Sequence, residues 1–171
     1  MGVGGFRALL VGVALVLLSA APAVAACTAI SSKTVALTGC VAKEWRSIDR
    51  TGAQEFSYLT ADQNYGLMVI TEKETIPYGQ FRSAIIQNAI KGSGSTDVEV
   101  VGDSKATIDG KSFNVIEYTI PNDGNPILFK NFYYSAPGFG ALQILAYSLK
   151  ADRKASARKA ATFAATVELG G

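Results

Sequence analysis

From residue 34 onward the apolar positions follow two rhythms, a two-residue alternation and a three- to four-residue recurrence. The changes between them mark the elements. Residues 34–38 and 41–48 have strand composition, the second holding the chain's one tryptophan, Trp45. In residues 55–60, Phe56, Tyr58 and Thr60 share one face of a strand. The polar turn Ala61-Asp62-Gln63-Asn64 leads into a strand over 65–74, where Leu67, Val69 and Thr71 oppose Met68, Ile70 and Glu72. Pro77 halts that strand and suits the first turn of a helix over 78–91, whose apolar face carries Phe81, Ile85 and Ala89, flanked by Ile86 and Ile90. Gly92-Ser93-Gly94-Ser95 ends the helix, since glycine tolerates positive φ.

The second half reads as a meander. A strand over 98–108 meets Asp109-Gly110, a two-residue hairpin signal. Strands over 111–120, 127–134 and 141–149 follow, separated by turns at 121–126 and at Pro137-Gly138. Loops this short require antiparallel pairing. A last helix is predicted over 152–168, with Asp152 as its cap and Ala157, Ala160, Phe163, Ala164 and Val167 as its buried stripe. The meander strands are apolar on both faces, so both faces should be covered. The expected architecture is α+β: an antiparallel sheet of about six strands with one mid-chain and one C-terminal helix packed on it, an α/β/α sandwich.

The N-terminus is of another kind. Arg7 is the only charge before Lys33; an apolar run over 8–18 follows it, then Pro22 and Ala23-Val24-Ala25. A basic start, a short apolar core and an A-x-A site make a secretory signal peptide over residues 1–25, cleaved after Ala25. Residues 26–40 follow as an N-terminal extended segment and 41–171 as a single α+β domain. Export puts the two cysteines in an oxidising compartment, where Cys27 and Cys40 are expected to form a disulfide. A second reading stays open, because Val24-Ala25-Ala26-Cys27 also has the form of a lipobox whose cysteine takes a lipid. The expected location is periplasmic or secreted, or lipid-anchored through Cys27.

Composition narrows the chemistry. The 171 residues include no histidine, which removes Ser-His-Asp and Cys-His catalysis and histidine metal sites. A net charge of +2 argues against nucleic acid as partner. No cofactor is expected. The carboxylates Glu72, Glu74, Glu99 and Glu117 are the candidates for acid/base or cation chemistry, though solvated strand positions are the commoner state of Glu. Gly92-Ser93-Gly94-Ser95 follows a helix instead of opening one, so it lacks the geometry of a phosphate cradle. Two surfaces are candidates for a partner. At period two, Phe129 and Tyr133 face one side of their strand and Phe132 and Tyr134 the other, and Phe132 and Tyr134 are put forward as the binding set. Lys154 and Arg158 lie on the last helix away from its apolar stripe and offer contact to an anionic surface.

The order of strands, helix, four-strand meander and C-terminal helix resembles the PsbP/Mog1-like fold, and more narrowly its small secreted bacterial proteins. The carriers are Phe56-Ser57-Tyr58, Gly110-Lys111-Ser112-Phe113 and the tail Ala160-Ala161-Thr162-Phe163-Ala164-Ala165-Thr166-Val167, spread over most of residues 41–169. The resemblance implies partner binding without catalysis. With no nucleophile beside a base in the chain, the expected function is that of an exported, non-catalytic envelope protein that binds a protein partner or a surface. The alternative is a binder of small apolar ligands, with a pocket between sheet and helix.

Overall fold

A computed structural model of the chain describes residues 26–50 and 52–170; the signal segment expected over 1–25 lies outside the described residues. The elements run β1 (Cys27–Ser31), β2 (Leu37–Ala42), β3 (Trp45–Ser47), β4 (Gln54–Thr60), β5 (Tyr65–Glu72), α1 (Tyr78–Ser93), β6 (Glu99–Ile108), β7 (Lys111–Ile120), β8 (Ile127–Ala136), β9 (Gly140–Leu149), a 3-10 turn (Lys150–Asp152), α2 (Arg153–Ala164) and β10 (Glu168–Leu169). Seven strands form an antiparallel sheet in the order β3-β4-β5-β9-β8-β7-β6, and β1, β2 and β10 form a second, three-stranded one. Asp109 and Gly110 both have positive φ, 48° and 69°, as the tight hairpin between β6 and β7 requires.

The strand order explains where α1 lies. Consecutive β5 and β6 are separated by the whole meander, because β9 returns to pair with β5. The connection must therefore cross the sheet. Four inter-strand spacings span roughly 19 Å, and the 16 residues of α1 extend roughly 24 Å. Phe81 and Ile85 anchor the helix against Ile116, Tyr118 and Tyr133, and its N-terminal half is tied to the β6 edge by a two-pronged Arg82–Asp103 ion pair at 2.9 Å. Gly94, at φ 67°, closes the helix by donating its N–H to the Ile90 carbonyl. A single helix laid across a broad sheet leaves the α1-side faces of β5 and β9 only partly covered.

The opposite face is closed more fully. Leu67, Val69, Phe113, Val115, Leu142 and Ile144 meet α2 through Ala160, Phe163 and Ala164, and Leu37, Val41 and Leu169 of the small sheet join the same core. Phe163 is 3% exposed, as the helical stripe predicts, while Val167 is equally buried but lies beyond the end of α2. The two sheets are clasped by Glu55, whose carboxylate accepts from the Ser32 hydroxyl and the Lys33 N–H at 2.6 Å and from the Thr71 hydroxyl at 2.5 Å. Partial burial pushes this carboxyl up, but those three donors and the charge of Arg50 outweigh it and hold Glu55 below its usual 4.5. A lowered folded value means that this stabilisation is complete above pH 4.5 and is lost as pH falls through the folded value. Glu55→Ala is expected to cost about 1–3 kcal/mol at pH 7 and to flatten the acid limb. Urea midpoints of parent and variant between neutral and strongly acid pH check this; parallel acid limbs would count against the clasp.

Four features differ from the sequence expectation. The strand expected over 41–48 is divided, its start ending β2 of the small sheet and Trp45–Ser47 forming β3, which brings the large sheet to seven strands. Residues 26–40, expected as an extended segment, belong to a hairpin over 27–42 that pairs with β10 and shares the α2-side core. Asp152 makes no side-chain cap and sits in the 3-10 turn at φ −95°. The last helix ends at Ala164, because the Thr166 hydroxyl reaches the Cys40 backbone, accepting its N–H at 3.0 Å, and the Asp109 carboxylate accepts the Leu169 N–H at 2.8 Å. These long-range bonds draw residues 166–169 away from the helix and onto β2.

Candidate functional site

On the α1 side, the incomplete cover leaves a cleft of about 430 Å³, within the ~300–1,000 Å³ usual for small-molecule sites. Met68 and Ile70 of β5 and Leu145 of β9 line the sheet side, and Ile85 and Ala89 the helix side. Phe129 and Tyr118 continue it, stacked with centroids 5.1 Å apart and planes 6° from parallel. Tyr147 extends the row, 5.5 Å from Phe129, and its ring lies over Gly66, where a Cβ would come within 1.9 Å of it. The glycine is what lets the aromatic row cross from β9 onto β5.

The polar groups of the cleft are few. Asn131 (β8) is 1% exposed and Gln143 (β9) 8%. The Asn131 amide donates to Gln143 Oε1 at 2.8 Å, while Asn131 Oδ1 is buried without a partner. The Gln143 amide nitrogen and the Tyr118 hydroxyl have no partner among the described residues either. Burial drives the Tyr118 phenol far above its ordinary range, so it stays protonated. Asn88 and Ser93 contribute from α1, and the one carboxylate among the described lining residues is Glu72. Buried polar groups left unpaired are costly and rare, which marks this floor as different from ordinary core.

Of the residues singled out from sequence, Glu72 reaches the cleft, and the aromatic and basic sets put forward for a partner fall elsewhere. Phe132 and Tyr134 lie in the α2-side core and not on an open face. Phe132 is 6% exposed in the α2-side core, and Tyr134 packs beside it between Phe113 and Phe139. The residue on the cleft is Phe129, from the opposite face. Lys154 and Arg158 are exposed as expected. Their neighbours are engaged: Arg153 pairs with Glu117 at 2.6 Å, and Lys159 pairs with Glu44 at 2.8 Å while lying over Trp45 and Tyr65. Among the carboxylates, Glu117 is bracketed by Lys130 and Arg153. Burial pushes it up, the two cations outweigh that, and it ends below its usual range. Glu72 is exposed at the cleft and Glu74 is exposed beyond β5. Cys27 and Cys40 form a disulfide, with Cα atoms 5.6 Å apart. Asn131 and Gln143 were not singled out, although a single amide inside Ala141-Leu142-Gln143-Ile144-Leu145 is the signal that would have found one of them.

An antiparallel seven-stranded sheet crossed by α1, backed by α2 and a small sheet, is the PsbP/Mog1-like fold. Among solved structures, the chain is similar to cyanobacterial PsbP (CyanoP) from Synechocystis sp. PCC 6803, with a TM-score of 0.62, 13% identity, and 90% of this chain and 99% of that one covered. It is similar to LpqN of Mycobacterium tuberculosis, described as involved in cell envelope biogenesis, with a TM-score of 0.54, 16% identity, and 84% and 90% covered. It is also similar to the Saccharomyces cerevisiae Ran-binding protein Mog1p, with a TM-score of 0.55, 10% identity, and 78% and 84% covered. No model of a protein family and no curated protein matches the sequence. At these identities the likeness is one of fold, and function rests on the site.

Proposed function

We propose that this is an exported, non-catalytic binding protein of the cell envelope that holds a small apolar molecule in the cleft between α1 and the sheet. The observation that carries the reading is the cleft itself, apolar on its sheet and helix sides, with the buried, unpaired Asn131 Oδ1 at its floor and the Gln143 amide and Tyr118 phenol on its lining. Export is supported by the signal pattern over 1–25, by the Cys27–Cys40 disulfide, which occupies the sulfur that a lipid would need, and by the fold it shares with LpqN. No helix among the described residues is long and apolar enough to cross a membrane. The absence of histidine and the engagement of Glu55 and Glu117 in structural pairs support a role without catalysis. The test is a titration with N-phenyl-1-naphthylamine, a neutral apolar dye that brightens in dry sites. Saturable enhancement is expected, and Ala89→Phe, which fills the cleft from α1, should abolish it while leaving the thermal melt of a folded protein. Enhancement that survives Ala89→Phe would remove the reading.

A second reading has its own observation. With Arg153 and Lys159 held in ion pairs, Lys154 and Arg158 are exposed cations on α2 with no ion-pair partner among the described residues. This face is where the protein partner or anionic surface expected from the sequence would sit, without Phe132 and Tyr134. Binding to vesicles containing phosphatidylglycerol should be weak, fall as salt rises, and vanish in Lys154→Glu/Arg158→Glu. Binding indifferent to both salt and these charges would place the contact elsewhere.

A further inference from the structure

We infer that the cleft selects uncharged amphiphiles, molecules with an apolar body and one hydroxyl, ester or amide group, and rejects free carboxylates such as fatty-acid anions. The inference deepens the apolar-ligand reading and rests on it. Among the described residues no lysine or arginine lines the cleft, and its one carboxylate is Glu72. An anionic head drawn in would meet no counter-charge and one like charge, and an ion stripped of water without a partner is strongly disfavoured. A purely hydrocarbon ligand fits poorly for the opposite reason. It would leave the Gln143 amide nitrogen and the Tyr118 hydroxyl covered and unbonded. Both are donors, so a neutral oxygen acceptor on the ligand is the complement to the floor. The two residues share a face with Asn131, which stands directly across from Ile116 and one strand-pair along from Tyr118, and which binds Gln143. Both donors line the cleft, Tyr118 across from Phe129 and Gln143 across from Tyr133, on either side of Asn131. The flat row of Tyr118 and Phe129 and the aliphatic Met68, Ile70 and Leu145 take the apolar body.

The experiment is displacement of N-phenyl-1-naphthylamine from the full protein by dodecan-1-ol, sodium dodecanoate and dodecane below their aggregation limits at pH 7.5. Dodecan-1-ol should displace the dye at a concentration at least tenfold lower than dodecanoate. Gln143→Leu should weaken dodecan-1-ol about three- to tenfold, the weight of one hydrogen bond, and leave dodecane unweakened. Glu72→Gln should tighten dodecanoate several-fold, and by more than any change in dodecan-1-ol. Dodecanoate competing as well as dodecan-1-ol overturns the selectivity while the cleft reading stands, because the dye still reports the site. Equal weakening of dodecan-1-ol and dodecane by Gln143→Leu overturns the polar floor. A parent protein that does not bind the dye removes the cleft reading and this inference together.

Discussion

Truncating Phe163 to alanine should lower the stability of the protein by roughly 3–5 kcal/mol, a large part of the 5–15 kcal/mol that holds a domain together. Phe163 is the one large ring on the buried face of α2; the other residues there are Ser156, Ala160 and Ala164. Alanines let the helix lie close to the sheet, but none can extend into the space that a lost ring leaves. The ring also belongs to the core that joins both sheets, through Leu37 and Val41 on one side and Leu67, Phe113 and Phe132 on the other. Its backbone carbonyl accepts from Thr166, the residue that turns the chain toward β10. The helix, the large sheet and the small sheet therefore all lose contacts at once. Lys154→Ala and Arg158→Ala, on the exposed side of the same helix, should each change stability by less than about 0.5 kcal/mol. Urea melts of the three variants make the comparison. A Phe163→Ala protein that melts with the parent would mean α2 is not docked through this ring. Unstable basic variants would mean their charges are structural, and the anionic-surface reading would lose its ground.

Local signals and long-range ones were not equally readable in the chain. The start of α1 at Pro77, its end near Gly94, the Asp109-Gly110 hairpin and the Phe163 stripe were legible, because each depends on residues within one or two turns of one another. The end of α2 was not. Residues 165–168 carry helical spacing, and what removes them from the helix is a hydroxyl bond to Cys40, 126 residues away, and a carboxylate bond from Asp109, 60 residues away. The division of residues 41–48 between two sheets was not readable either, since β3 is three residues long and contains one alternation. The site shows the same division. Period two correctly separated Phe129 and Tyr133 from Phe132 and Tyr134, but which face is core depends on what covers it. The α2 side gained a second cover from the β1–β2 hairpin, while α1 had a whole sheet to cross. The cleft is thus a consequence of topology, and only the lone amide at Gln143 announced it in the sequence.

Removing the disulfide is the second large change expected. Cys27 and Cys40 enclose a separation of 13 residues, for which loss of the cross-link frees unfolded-chain entropy worth roughly 3 kcal/mol. Folded-state geometry points the same way. β1 is an edge strand, paired only with β2, and most of its residues are exposed. The disulfide fastens its first residue diagonally to Cys40, since Cys27 stands across from Ala42 and Ala29 across from Cys40. Cys40 is itself held at both backbone groups by the Thr166 hydroxyl, so the bond links the start of the described chain to its C-terminal segment. Cys27→Ser/Cys40→Ser should therefore melt at lower urea than the parent. Reductant should shift the parent to the same midpoint and leave the variant unmoved, which separates loss of the bond from loss of side-chain packing. Thiol labelling of the denatured, unreduced parent should find no free cysteine. A lipid thioether on Cys27 predicts another pattern: one free thiol at Cys40, a mass increase on the N-terminal peptide, and no response of the melt to reductant. That pattern would replace the disulfide with an anchor and leave β1 held by its pairing with β2 alone.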